Sequence, residues 1–145
     1  MRKFSGGRTL AVVAVAGGAL LASIAPVMAE VSAQSPSQGA VRVESPAKWK
    51  TWGAVVEVKV TYSCPVGTQS PYLSLSLTQS VLGGVASGSG YKENLDCTGG
   101  FETVTLNVTA NERAFQFWST AFAKADLRGY PNANAKDERE IQINP

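Results

Sequence analysis

The chain has 145 residues, 44% of them hydrophobic and 17% charged, with two cysteines and no histidine. That length suits one domain with a single core. The missing histidine excludes a Ser-His-Asp or Cys-His site within the chain and removes the commonest metal ligand. The near-balance of 13 basic and 11 acidic residues argues against a nucleic-acid-binding protein.

Residues 1–29 read as a secretory signal peptide. Arg2, Lys3 and Arg8 form a basic head, and Leu10 to Ile24 is a mostly apolar run without a charge. Val27-Met28-Ala29 then offers small residues at a cleavage site, with Val31-Ser32-Ala33 as a second candidate. The apolar run is too short for a membrane span, and no later run is longer. The expected product is a secreted, extracellular protein starting at Glu30 or Gln34. Cleavage removes three basic residues, leaving ten basic against eleven acidic.

Residues 30–38, rich in Ser with Pro36 and Gln38, read as a disordered lead-in to a domain over 39–145. Val41 and Val43 alternate with Arg42 and Glu44 as a first short strand, which Pro46 ends. The clearest strand follows. Val56, Val58, Val60, Tyr62 and Cys64 share one face, and Glu57, Lys59, Thr61 and Ser63 share the other. Leu73, Leu75, Leu77 and Gln79 alternate with Ser and Thr in a further strand. Residues 83–90, rich in Gly and Ser, read as a flexible loop.

Gly99-Gly100 marks a turn before a strand carrying Val104, Leu106 and Val108. Residues 112–128 admit two readings. Thr109 with Glu112 fits a capping box and Gly129 a helix stop. A strand instead groups Phe115, Phe117, Ala121, Ala123, Ala125 and Leu127 on one face, with Trp118 and Phe122 on the other. The strand reading is preferred because its neighbours are strands. Pro131 to Lys136 reads as loop, and Ile141 and Ile143 as a closing strand.

An even cysteine count in an exported domain implies a Cys64–Cys97 disulfide. A loop of about 33 residues closed in this way is worth about 3–4 kcal/mol on chain-entropy grounds. The expected fold is all-β, an immunoglobulin-like antiparallel β-sandwich with one disulfide.

From Val56 to Cys64 the chain resembles small secreted immunoglobulin-like proteins of actinobacteria. In those proteins a strand ending in aromatic-x-Cys precedes a Gln-bearing strand, a second Cys near a Gly, and an Ala-rich strand. The matching positions are Tyr62 to Cys64, Gln79, Cys97 to Gly99, and Ala121 to Leu127. Most such proteins have no assigned activity, so the resemblance implies a fold more than a function. A looser likeness in size and export links the chain to the neocarzinostatin-type apoproteins, which hold a small chromophore in a sandwich cleft. Those carry two disulfides, and their binding residues do not transfer.

Four aromatic residues are candidate ligand-binding positions. Trp49 and Trp52 flank Lys50 and Thr51 before the best strand. Trp118 and Phe122 share a strand face with Gln116 and Thr120. Carboxylate pairs for hydrolysis are drawn only loosely from Glu57, Glu93, Asp96 and Glu102. Asp126, Asn132, Asn134, Asp137 and Glu138 form an oxygen-rich stretch, but Lys136 breaks its resemblance to a calcium loop. No catalytic residue, metal or cofactor is assigned. The expectation is a non-catalytic secreted binding or structural module. Its partner would be an extracellular protein, a cell-wall component or a small molecule. The alternatives are a small-ligand carrier using a sandwich cleft, and an inhibitor of secreted proteases acting through residues 83–90.

Overall fold

The computed structural model describes residues 39–145; the signal-peptide and lead-in assignments lie outside the described residues. The fold is all-β with one disulfide, Cys64–Cys97. Eight strands run in order: β1 (Ala40–Val43), β2 (Ala47–Lys50), β3 (Val55–Ser63), β4 (Gln69–Val81), β5 (Gly84–Glu93), β6 (Phe101–Ala110), β7 (Ser119–Tyr130) and β8 (Ala133–Asn144).

Hydrogen bonding joins seven of these strands into a closed ring, β2–β3–β6–β5–β4–β7–β8 and back to β2, with β1 alongside β3. Two separate sheets were expected; the ring closes through two short seams instead. At one, β5 meets β6 through Gly88↔Ala110 and Ser89↔Thr109. At the other, β2 meets β8 in parallel through Ala47↔Ile143 and Lys48↔Asn144. The remaining ladders are longer: β3–β6 runs from Val55↔Thr109 to Ser63↔Phe101, and β7–β8 from Ser119↔Ile143 to Gly129↔Ala133.

The period-two segments bury the faces expected of them. Val56, Val58, Val60, Tyr62 and Cys64 are inside, as are Leu73, Leu75, Leu77, Leu106 and Val108. Ala123 and Ala125 on β7 pair with Leu77 and Leu75 on β4, so small residues lie beside large ones and the interior fills. The Pro46 boundary is an interruption rather than an end. After the Ser45–Pro46 bend the chain resumes as β2 on the same edge of β3.

Three stretches differ from the sequence reading. Of residues 83–90, all but Gly83 belong to β5 rather than to a loop, with Ala86, Gly88 and Gly90 facing inward. A Cβ at Gly88 would lie 2.3 Å from the Thr109 carbonyl oxygen, and one at Gly90 would lie 2.4 Å from that of Asn107. Glycine is needed there because β5 lies directly against the backbone of β6, and the same residues erase the apolar half of the alternation. Residues 133–136 belong to β8 rather than to a loop. Its inner face carries Ala133, Ala135, Asp137 and Arg139, so the pattern is unreadable until Ile141. Asp137 accepts the Val43 backbone N–H at 2.7 Å and holds Arg139, which accounts for a charged pair on an inward face. Finally, the strand read over 112–128 begins only at Ser119. The Ala121–Leu127 face is inward as expected, and Phe115, though it precedes the strand, is buried as expected; Phe117, also before the strand, is exposed instead.

The register places the β2–β3 turn, the β4–β5 hairpin tip, the β6–β7 connection and the end of β8 at one end of the barrel. The disulfide and the β7–β8 turn lie at the other.

Candidate functional site

The end formed by residues 49–54 and 111–118 carries an aromatic groove. Trp49 closes β2 opposite Val56 and packs on the core. The chain then makes one left-handed turn, with φ of 49° at Thr51, 57° at Trp52 and 84° at Gly53. Only glycine adopts this region freely; a side chain there costs about 1–2 kcal/mol per residue. Gly53 is required twice over, because a Cβ there would lie 2.1 Å from the Phe115 carbonyl oxygen. Trp52 carries the strain with its ring exposed, so burial of that ring offsets none of it.

The facing segment, residues 114–117, is held from three sides. The Phe115 N–H donates to the Gly53 carbonyl at 2.9 Å, and the Trp49 indole Nε1 donates to the Phe115 carbonyl at 2.8 Å. Across the barrel end, the Gln79 amide donates from Nε2 to the Gln116 carbonyl at 2.9 Å, and its Oε1 accepts the Gln116 N–H at 2.7 Å. Gln79 is 1% exposed and is the buried polar residue among the described residues; this two-way bond satisfies it. Phe115, fully buried, caps the core beneath the segment.

Three rings result from this frame. Trp49 and Phe117 meet edge to face with centroids 5.0 Å apart and planes at 64°. Trp49 and Trp52 meet at 6.2 Å and 84°. With Ala114, Phe115 and Gln116 they line an open groove of about 470 Å³. No ionisable side chain lines it. The arrangement offers apolar ring faces and one exposed side-chain amide, Gln116, to a neutral or apolar group. It offers no acid, base or nucleophile.

The structure therefore unites two of the four candidates and separates the others. Trp49 and Trp52 share the groove. Trp118 is outward with φ 55°, its backbone N–H donating to the Ile143 carbonyl at 2.7 Å. Phe122 lies half-exposed on the outer face of β7 between Thr78 and Glu140. Neither lines the groove. Phe117 was the residue missed: counted by strand parity it falls inward, but it lies outside any strand and packs on Trp49.

The chain matches no protein-family model and no curated protein.

Other sites suggested by sequence are dispersed. Residues 84–90 lie in β5 and pair with β4, so the flexible loop expected over 83–90 is reduced to the Leu82-Gly83 turn. The oxygen-rich stretch splits across the β7–β8 hairpin. Asp126 pairs with Lys136 at 3.6 Å and Glu138 with Lys124 at 3.1 Å, while Asp137 faces inward. The Glu138 carboxylate raises the Lys124 pKa above its ordinary value. Glu57 pairs with Lys50, and Glu102 accepts the Thr98 hydroxyl. A second hollow of about 540 Å³ lies between the Ser45–Pro46 bend and Glu57, Lys59 and Thr105; its charges are of both signs. Among the described residues, no helix is long and apolar enough to cross a membrane.

At the opposite end, Tyr62 donates its hydroxyl to the Asp96 carbonyl at 3.2 Å, one residue before the disulfide partner Cys97. Burial raises its pKa above the ordinary 10.0, with the Asp96 hydrogen bond acting the other way.

Proposed function

We propose that this protein is a secreted, non-catalytic binding module of immunoglobulin-like type that engages its partner with its aromatic end. The observation carrying this reading is the uncharged groove of Trp49, Trp52 and Phe117, set on a frame of internal hydrogen bonds. A strained, exposed Trp52 contributes little to folding, and contact with a partner would account for a large ring in that position. The two short seams also divide the ring into β1/β2–β3–β6 and β5–β4–β7–β8, a partition that suits an immunoglobulin-like sandwich. The cross-link suits an oxidising compartment.

The alternative, a small-ligand carrier, requires a cavity that encloses most of its cargo. The groove is open, which favours the binding module. Titration with neutral oligosaccharides, extended peptides and an apolar dye, followed by tryptophan fluorescence, tests both. Saturable binding that Trp52→Ala abolishes at unchanged melting temperature is expected. Binding that survives Trp52→Ala would refute the groove as the site. Intact mass of secreted material, with Glu30 or Gln34 as first residue, tests export.

A further inference from the structure

Resting on the reading that the aromatic end is the binding surface, we infer that its partner is a lipid–water interface, entered by three apolar loop tips. Each tip belongs to a different connection at the same end. Trp52 in the β2–β3 turn is 87% exposed, Leu82 at the β4–β5 hairpin tip 91%, and Trp118 in the β6–β7 connection 71%.

Two of the tips break a local backbone rule, and the third exposes an apolar residue that its turn does not require. At the hairpin tip between paired Val81 and Gly84, glycine fills the left-handed position, Gly83 at φ 82°, and the residue before it, which the turn leaves free to be polar, is Leu82. Trp52 and Trp118 occupy left-handed backbone, where glycine or asparagine is favoured. Three large apolar side chains so exposed, two of them on left-handed backbone, share one end, and a common binding role accounts for all three.

The shape and chemistry select the partner. A protein partner would have to offer a matched hollow for each projecting tip. A saccharide would use ring faces and hydrogen bonds, to which Leu82 adds nothing. A bilayer interface accepts indole and leucine side chains wherever they project, and tryptophan concentrates there. Arg113 lies directly behind the Leu82 tip: a Cβ at Gly84 would be 3.1 Å from its Nε. That places a cation at the depth of the phosphate layer when Leu82 enters the hydrocarbon boundary. Glu112 adjoins Arg113 and Lys50 is paired with Glu57, so the end has little net charge and binding is driven by apolar burial.

The test uses the chain from Glu30 with vesicles of phosphatidylcholine alone and with added phosphatidylglycerol. Cosedimentation and a blue shift of tryptophan emission are expected in both. The two affinities should agree within about threefold, and 1 M NaCl should change them little. Leu82→Ser should lower partitioning by about tenfold or more at unchanged melting temperature. Trp118→Ala should act in the same direction. Absence of vesicle binding, alongside saccharide or peptide binding that needs Trp52, overturns the lipid inference alone. Vesicle binding indifferent to Leu82→Ser, Trp118→Ala and Trp52→Ala overturns both it and the aromatic end as the binding surface. A dimer that Leu82→Ser dissolves would identify a second copy as the partner and overturn the lipid inference.

Discussion

The two ends of the barrel are built by opposite means. At one end a covalent bond joins Cys64 to Cys97, the Tyr62 hydroxyl ties the adjacent backbone, and Thr68 closes the intervening turn on the Pro65 carbonyl. At the other there is no cross-link. Phe115 fills the core, Gln79 and Trp49 hold the 114–117 segment by hydrogen bonds, and left-handed residues project their rings outward. Left-handed backbone and exposed apolar residues occur at both ends, with Ser70, Asn94, Val66, Phe101 and Tyr130 at the cross-linked one, but among the described residues it is at the aromatic end that the left-handed residue is itself an exposed aromatic, at Trp52 and Trp118. That division is the physical content of the functional proposal, and substitutions at each end can break it.

The largest effect expected is at the buried aromatic ring beneath the groove. Phe115→Ala should cost about 3–5 kcal/mol by chemical denaturation, since it empties the core beneath the groove. Replacing both Cys64 and Cys97 with Ala should cost about 2–5 kcal/mol. It should leave groove binding intact wherever the protein remains folded. Thiol titration of unfolded, unreduced protein should find no free thiol. A disulfide variant that keeps its stability but loses groove binding would show that the ends are coupled rather than divided.

Gln79→Leu comes next. It leaves the Gln116 N–H and carbonyl without their partner, and should cost about 1–3 kcal/mol. Because the segment it pins carries Phe117, binding should weaken more than stability does. Equal loss of binding in Gln79→Leu and in a destabilised core variant of the same stability would refute the positioning role.

The cross-linked end has a pH signature. Burial raises the Tyr62 pKa in the folded state above 10.0, so the folded protein holds this proton more tightly than the unfolded chain. Stability from this group is complete below about pH 10 and is lost as pH rises through the folded value. Denaturation midpoints should fall above that pH, and Tyr62→Phe should reduce the slope. An unchanged slope would mean that other groups govern the alkaline transition.

How much of this was readable from sequence follows from side-chain size and period. Val56 to Cys64 and Leu73 to Gln79 alternate over full strands, and their inward faces carry residues that are apolar or, at Gln79, internally bonded. The disulfide followed from an even cysteine count read together with a signal-peptide-like start of the sequence. Strand β5 escaped because close approach to β6 demands Gly88 and Gly90, which look like loop residues. The first half of β8 escaped because an ion pair, Asp137 with Arg139, stands on the inward face where apolar residues would have marked a strand. Trp49 and Trp52 were identified by their spacing. Phe117 was not, because parity has meaning only inside a strand. The barrel closure rests on two seams of two residue pairs each, too short to leave a pattern.

The smallest effect is also the sharpest test of the contrast, because its sign is the informative part. Trp118 has φ 55° and an exposed ring, so its side chain adds strain and little burial. Trp118→Gly removes a penalty of about 1–2 kcal/mol for left-handed backbone and adds about 0.5–1 kcal/mol of chain entropy. The net expectation is a gain of up to about 1.5 kcal/mol, with partner binding weakened. Chemical denaturation measures the first quantity and vesicle or ligand titration the second. A residue kept for packing would show the reverse, a clear loss of stability at unchanged binding. A gain in stability with weakened binding would show that the aromatic end gives up folding free energy for an exposed surface.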